Sequence, residues 1–124
     1  MGKKIIIIDD DKRIRNMFKI ALEIQGYSVT EMDAEDFLKF DMKIKQKSDL
    51  IILDIMMPKI NGLDLLNVLK SDSATKNIKV IMVTALSDEI SKKRASDLGA
   101  YAYLVKSELS MPSMIDKFKE ALAN

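Results

Sequence analysis

The most constraining feature of the sequence is a short apolar run that ends in a carboxylate. Leu50–Leu53 are four consecutive apolar residues, followed by Asp54 and then by a loop that contains proline and glycine. A short apolar run bounded by turn residues is typical of a strand buried on both faces, as in a parallel sheet. Open α/β sheets bind their ligands beyond the carboxyl ends of such strands. We therefore expect Asp54 to lie at the rim of a cleft.

Three further apolar runs also end in polar residues. They are Ile5–Ile8 before Asp9 and Asp10, Ile78–Val83 before Thr84, and Tyr101–Val105 before Lys106. The alternating segment Tyr27–Glu31 favours a further strand, and apolar residues recur at helical spacing between these segments. Strands that alternate with helices predict an α/β fold. We expect (βα)5, a doubly wound parallel sheet of five strands in the order 2-1-3-4-5, with helices on both faces.

The expected helices begin at residues whose side chains cap a helix N-terminus. These capping residues are Asp11, Asp33 and Ser110, for the first, second and last helices. Apolar residues expected on the inner faces are Ile14, Met17, Phe18, Ala21 and Leu22 in the first helix, Phe37, Leu38 and Ile44 in the second, and Ile90 and Leu98 in the fourth. The second helix is expected to end in the basic segment Lys43–Lys47.

The composition restricts the chemistry that the chain can perform. Cysteine and histidine are absent, which excludes disulfides, Cys/His zinc sites, thiol nucleophiles and imidazole bases. The 20 basic and 19 acidic residues nearly balance, so no net field attracts nucleic acid or a membrane surface. The apolar segment at the amino terminus is too short for a signal peptide or a membrane span. We expect one cytoplasmic domain over residues 1–124.

Three carboxylates are expected to meet where the first and third strands lie side by side. Asp9, Asp10 and Asp54 would repel one another there, and at least one pKa would rise. A divalent cation held by oxygen resolves this repulsion, which favours Mg2+, with Mn2+ as an alternative. Asp54 is then a candidate nucleophile for phosphoryl transfer, with Thr84 and Lys106 binding phosphoryl oxygens.

Four motifs in order resemble one known family. They are Ile7–Asp11, Leu53–Pro58 with Gly62 beyond it, Val83–Ala85 and Tyr103–Lys106. Over essentially its whole length the chain resembles a receiver domain of the response-regulator family, with the CheY-like fold. The resemblance implies a single-domain response regulator or a receiver domain excised from a longer protein.

The resemblance implies a phosphoacceptor in a two-component phosphorelay. Asp54 would accept a phosphoryl group from a sensor histidine kinase or a histidine phosphotransfer protein. Mg2+ would bind Asp9, Asp10, Asp54 and the backbone carbonyl of Met56. Such a protein is a signalling module that catalyses only its own phosphorylation and dephosphorylation, rather than an enzyme that turns over a separate substrate.

The resemblance also implies a readout. Thr84 and Lys106 would move toward the new phosphoryl group, and Tyr103 would turn inward as the switch residue. This movement would alter the face built from the fourth helix, the fifth strand and the last helix, where a downstream target protein docks. We expect a monomer or a weak phosphorylation-dependent dimer, and no direct contact with nucleic acid or membrane.

Two departures from the family pattern are informative. Ser107 follows Lys106 where the family has a cis-proline, and a non-proline cis bond costs roughly 2.5–4 kcal/mol, so we expect a trans peptide. The residues two beyond Asp54 and Thr84 are apolar, Met56 and Leu86. Because these positions govern the approach of water in the family, we predict a long-lived phosphoryl group; a lifetime of seconds would count against this.

The same polar residues also allow different roles. Taken singly, Asp9 and Asp10 are helix caps, Asp54 is a turn former and Lys106 is a solvated side chain, although together they require several coincidences at one sheet edge. A metal-dependent phosphohydrolase of the haloacid-dehalogenase type needs a second acid two residues on, which only Asp9 with Asp11 supplies. A receiver-like module that docks partners without phosphorylation is the third possibility.

Overall fold

A computed structural model describes residues 2–39, 45 and 47–123. In these ranges the strands are β1 (Lys4–Ile8), β2 (Ser28–Met32), β3 (Leu50–Leu53), β4 (Lys79–Thr84) and β5 (Ala102–Val105). The helices are α1 (Lys12–Ile24), α2 (Ala34–Lys39), α3 (Gly62–Ser71), α4 (Glu89–Asp97) and α5 (Met111–Ala123). Among these helices, none is long and apolar enough to cross a membrane.

The five strands form one parallel sheet in the order β2-β1-β3-β4-β5, which confirms the predicted topology. Ile8 of β1 pairs with Leu53 of β3, so the residues that follow them, Asp9 and Asp54, leave the sheet side by side. Thr84 pairs with Val105 in the same way, and the Lys106 N–H donates to the Thr84 carbonyl at 2.8 Å. The register therefore brings the predicted polar residues to one edge.

Helices cover both faces of the sheet, as predicted. Ile6 and Ile8 of β1 pack with residues of α2, α3 and α4, whereas Ile5 and Ile7 pack with α1 and α5. On the latter face the rings of Phe18 and Phe118 meet edge to face, with centroids 5.4 Å apart. Because successive side chains of a strand point to opposite faces, a strand covered on both sides must be apolar throughout.

The predicted helix caps are confirmed. The Asp11 carboxylate accepts from the Arg13 N–H at 3.0 Å, and that of Asp33 accepts from the Asp36 N–H at 2.8 Å. The Ser110 hydroxyl accepts from the Ser113 N–H at 3.2 Å. These side chains satisfy N–H groups that have no partner inside the helix.

Three apolar residues predicted to be buried are exposed, so those predictions are wrong. They are Met17, Leu38 and Ile90, with 53%, 52% and 75% of their surface exposed. Met17 and Leu38 each lie beside the residue that faces the core, Phe18 and Phe37 respectively. In α4 the buried residue is Ala95, whose small side chain leaves Ile90 on the outer surface.

The end of the second helix is a prediction that the structure does not test. Ile44 and most of the segment Lys43–Lys47 lie outside the described residues. As described, α2 spans Ala34–Lys39.

Candidate functional site

Two carboxylates and one ammonium meet at the carboxyl edge of the sheet. The Lys106 Nζ lies 3.0 Å from Asp9 Oδ2 and 3.1 Å from Asp54 Oδ2. The side chains of Asp9 and Asp54 are 6% and 7% exposed, and that of Lys106 is 20% exposed. Charge-assisted hydrogen bonds of this length are the stronger ones in proteins. Three of the predicted site residues thus form one buried charge cluster.

Each of the two carboxylates also binds its own loop. Asp9 Oδ1 accepts from the Asp11 N–H at 2.8 Å, and Asp54 Oδ1 accepts from the Met56 N–H at 3.2 Å. Hydrogen bonds to the N–H two residues on are the pattern of an Asx-turn. The turn-forming role considered for Asp54 therefore coexists with its contact to Lys106, and each carboxylate has a defined orientation.

The electrostatics of the cluster follow from its burial. Burial raises the pKa of the Asp9 carboxyl, and the charge of Asp54 adds to this, although hydrogen bonds from Asp11 and Lys106 act in the opposite direction. Burial acts to lower the pKa of Lys106, but the carboxylates of Asp54 and Asp9 outweigh it, so this pKa lies above its ordinary value. Lys106 is therefore cationic at neutral pH, and it faces two acidic groups.

The third predicted carboxylate is separate from this cluster. The Asp10 side chain is exposed and lines a cavity of about 200 Å³ with Asp33, Glu35 and Lys59. Within the described ranges, no three acidic side chains gather closely enough to hold a metal ion. Asp9 and Asp10 both lie beyond the end of β1, where the main chain bends at Asp10, and their side chains reach different surroundings. The expected convergence of three carboxylates is thus a convergence of two on Lys106.

The donor atoms nevertheless suit a hard divalent cation. Asp9, Asp10, Asp54 and the Met56 carbonyl supply only oxygen, which Mg2+ prefers. The raised pKa of Asp9 arises from burial and from the neighbouring Asp54 charge, and an added cation would oppose both by stabilising the ionised carboxylate. The chemistry of the residues at this edge therefore fits Mg2+.

Thr84 and Tyr103 are linked through the loop that follows β4. Thr84 is fully buried, and its Oγ1 accepts from the Leu86 N–H at 3.3 Å. The Tyr103 hydroxyl donates to the Leu86 carbonyl at 2.8 Å. Burial raises the pKa of the Tyr103 phenol, and the charges of Asp88 and Asp54 add to this. Leu86 thus links Thr84 and Tyr103, through its N–H to the first and through its carbonyl to the second.

The departures from the family pattern do not displace Lys106. The described residues contain no cis peptide bond, so the bond to Ser107 is trans, as expected, and Lys106 still reaches both carboxylates. Beside Asp54 lies a groove of about 570 Å³, whose lining includes Met56 and Leu86. Both apolar residues therefore line a groove formed largely by the loop that follows Asp54.

Asp11 has a different task from the one that the phosphohydrolase alternative requires. Its carboxylate accepts from the Arg13 N–H at the start of α1. Desolvation acts to raise the pKa of the Asp11 carboxyl, but the hydrogen bonds from the N–H groups of Arg13 and Ile14 together outweigh it, so this pKa lies below its ordinary value. A general acid needs a raised pKa, so Asp11 is poorly suited to that role.

Two residues that hold the site were given no site role from the sequence. Gly62 approaches the main chain so closely that a Cβ there would lie 2.7 Å from the Asp54 carbonyl carbon; the sequence indicates only a turn at this position. The Arg15 guanidinium donates from Nη1 to the Asp9 carbonyl oxygen at 2.9 Å. No sequence signal distinguishes Arg15 from the other basic residues of α1.

Known proteins with similar sequences belong to one family. The chain matches the model of the response regulator receiver domain over residues 5–119. It is 38% identical over 106 residues to the phosphate regulon transcriptional regulatory protein PhoB of Pseudomonas aeruginosa, a match that covers 86% of this chain and 46% of that protein. It is 39% identical over 104 residues to the DNA-binding dual master transcriptional regulator RpaA of Synechocystis, covering 83% of this chain and 42% of that protein.

A solved structure shows the same fold. The CheY-like response regulator receiver domain protein of Methanospirillum hungatei superposes with a TM-score of 0.85 at 30% identity, covering 99% of this chain and 95% of that one. The chain therefore belongs to the response regulator receiver domain family, whose members are signalling modules of two-component systems. It spans less than half the length of the PhoB and RpaA relatives.

Proposed function

We propose that this chain is the phosphoacceptor module of a two-component phosphorelay, with Asp54 as the residue that is phosphorylated. The observation that supports this most strongly is the buried pairing of Asp54 and Asp9 with one ammonium, that of Lys106. Burying these charges is costly, so a purely structural role would be served better by apolar residues. A site that must receive a phosphoryl group needs both the nucleophile and the compensating cation.

The transfer needs little from the protein beyond position and charge. A carboxylate oxygen of Asp54 attacks phosphorus, the P–O bond forms, and the P–N bond to the donor histidine breaks. The electron pair of that bond stays on the leaving nitrogen, and a neutral imidazole leaves because the other ring nitrogen of the phosphohistidine carries a proton. The carboxylate is already a nucleophile, so no base is required, and this agrees with the absence of histidine from the chain.

Lys106 has a defined task in this proposal. Its ammonium, which holds Asp9 and Asp54 before transfer, exchanges a carboxylate partner for a phosphoryl oxygen. Mg2+ held by Asp9, Asp10, Asp54 and the Met56 carbonyl would supply further positive charge for the phosphoryl oxygens. Stabilising this charge inside a partly buried site is worth more than in water.

The readout begins with the hydrogen bonds of Leu86. We infer that the Thr84 hydroxyl leaves the Leu86 N–H for a phosphoryl oxygen, and that the loop after β4 shifts with it. The Tyr103 hydroxyl, which donates to the Leu86 carbonyl, then loses its acceptor, and its ring turns inward. This repacks the face formed by α4, β5 and α5, where we place the docking of a downstream target protein.

The donor in this proposal is a sensor histidine kinase or a histidine phosphotransfer protein in the cytoplasm. The nearly equal numbers of basic and acidic residues support protein docking rather than direct nucleic-acid contact for this chain. Met56 and Leu86, the positions two beyond Asp54 and Thr84, are apolar, and we propose on this ground that water attacks slowly and the phosphoryl group is long-lived.

The test is intact mass spectrometry after incubation with acetyl phosphate and MgCl2. Wild type is expected to gain one phosphoryl group, whereas Asp54→Asn and an EDTA-treated sample are expected to gain none. A folded wild type that binds Mg2+ without gaining mass would support phosphorylation-independent docking. Steady turnover of a phosphomonoester would instead support the phosphohydrolase.

A further inference from the structure

Arg15 is largely shielded from solvent although it lies near the start of a surface helix. Its side chain is 13% exposed, whereas that of Arg13 in the same helix is 90% exposed. Burying a guanidinium carries a desolvation cost that is recovered only through good partners. Arg15 has two: the Asp9 carbonyl oxygen, at 2.9 Å from Nη1, and the Glu31 carboxylate, at 3.4 Å from Nε.

The two contacts of Arg15 differ in quality. Nε is buried and lacks a well-directed hydrogen bond, which is true of no other buried side-chain nitrogen or oxygen in the described part of the chain. Glu31 of β2 therefore holds the guanidinium by charge, and the directed bond goes to Asp9. Buried donors are rarely left without an acceptor, so this arrangement favours the Asp9 contact at the expense of the other.

The hydrogen bond from Arg15 to the Asp9 carbonyl restrains the peptide that joins Asp9 and Asp10. This carbonyl belongs to that peptide, so its direction determines how both side chains leave the main chain. On the other side of Asp9, its N–H donates to the Met32 carbonyl at 3.4 Å, a long contact. Of these two hydrogen bonds to the main chain of Asp9, the one from Arg15 is the shorter.

We propose that Arg15 is a positioning residue, which fixes the Asp9–Asp10 peptide and with it the separate directions of the two carboxylates that would take part in binding Mg2+. This rests on the proposed function, since Asp9 and Asp10 are the metal ligands in that proposal. Glu31 supports Arg15 from the neighbouring strand. Lysine cannot replace Arg15, because a single ammonium lacks the planar fork that reaches a carbonyl and a carboxylate together.

The experiment compares Arg15→Lys with Arg13→Lys, the same substitution at the exposed arginine of the same helix. Calorimetric titration with MgCl2 alone measures affinity. Groups that orient metal ligands typically contribute about tenfold or more in affinity, so Arg15→Lys is expected to weaken Mg2+ binding about tenfold while Arg13→Lys does not. Glu31→Gln is the second variant, in case Arg15→Lys folds poorly. It is expected to weaken Mg2+ binding as well, but by a smaller factor.

Two further measurements separate positioning from general stability. In acetyl phosphate reactions, the Mg2+ concentration for half-maximal rate should rise in Arg15→Lys, while the rate at saturating Mg2+ is retained. In EDTA, the amide NMR signal of Asp10 should move in Arg15→Lys and stay in Arg13→Lys. Unchanged Mg2+ affinity in both Arg15→Lys and Glu31→Gln would overturn the proposal, whatever happens to the melting temperature.

The failure of this proposal is distinguishable from failure of the proposed function. Weakened Mg2+ binding in Arg15→Lys, with a wild type that is never phosphorylated, would support the positioning role and contradict the phosphoacceptor. A wild type that is phosphorylated, with variants that bind Mg2+ normally, would support the phosphoacceptor and contradict the positioning role. A wild type that binds no Mg2+ would overturn the positioning role.

Discussion

Replacing Lys106 with methionine removes the ammonium that Asp9 and Asp54 share and leaves two buried acids without their cation. Removing one member of a buried, hydrogen-bonded charge pair destabilises a protein by roughly 3–5 kcal/mol. Lys106 is one-fifth exposed, so solvent screens part of this, and we expect about 3 kcal/mol. For 124 residues, the unfolding entropy is about 0.26 kcal/mol per degree, so the melting temperature should fall by about 12 °C.

The assay is thermal and urea denaturation at neutral pH in EDTA, with Lys117→Met as the control, since Lys117 forms an exposed ion pair within α5. Exposed pairs contribute about 0–1 kcal/mol, so the control should change little. Adding MgCl2 should recover more stability in Lys106→Met than in wild type, because a bound cation restores the missing charge.

The effect of Lys106→Met should also depend on pH. The folded-state pKa of Lys106 is raised, so its stabilising contribution is complete below its ordinary pKa and is lost only as the pH rises through the raised value. On the acid side, Asp9 has a raised pKa as well, and once it is protonated it needs no cation. The penalty of Lys106→Met should therefore shrink as the pH falls. A variant as stable as wild type at neutral pH in EDTA would refute the reasoning.

Three more substitutions test separate parts of the site. Asp9→Asn should raise the urea midpoint at neutral pH in EDTA, because the pKa of Asp9 is raised in the folded protein and the ionised carboxylate therefore destabilises it. This gain in stability should vanish below the ordinary pKa of aspartate, where Asp9 is protonated in both states. A gain that persists there would show that it does not come from the charge of Asp9. Gly62→Ala should destabilise by about 1–3 kcal/mol and slow phosphorylation by acetyl phosphate, because its Cβ would meet the Asp54 main chain; wild-type stability would show that the loop adapts freely. Tyr103→Phe removes the bond to Leu86 and should reduce stability by about 1 kcal/mol while leaving the phosphorylation rate unchanged; a slower rate would place the phenol in the transfer step.

Much of the fold was predictable because the strands are buried on both faces. The apolar runs before Asp9, Asp54, Thr84 and Lys106 marked four of the strand ends, and parallel strands bring their carboxyl ends to one edge. The adjacency of β1 and β3 then placed Asp9 beside Asp54. The general location of the site follows from this pattern alone.

The parts that were not predictable depend on contacts between distant segments. Helical periodicity marks an apolar stripe, but the depth to which it is buried depends on the neighbouring element, and Ile90 is exposed because α4 packs through Ala95. Arg15 contacts Asp9 and Glu31 only because the ends of β1 and β2 lie under α1. The divergence of Asp10 from Asp9 likewise depends on the local path of the main chain.

The central claim is that Asp54 carries the phosphoryl group, and reductive trapping tests it most directly. Treating the acetyl phosphate reaction with borohydride converts a phosphorylated aspartate into homoserine, which peptide mass spectrometry can place in the sequence. We predict homoserine at position 54 in wild type with Mg2+, and none in Asp54→Asn or with EDTA. Homoserine at Asp9 or Asp10 instead, or phosphorylation that persists in Asp54→Asn, would contradict the account.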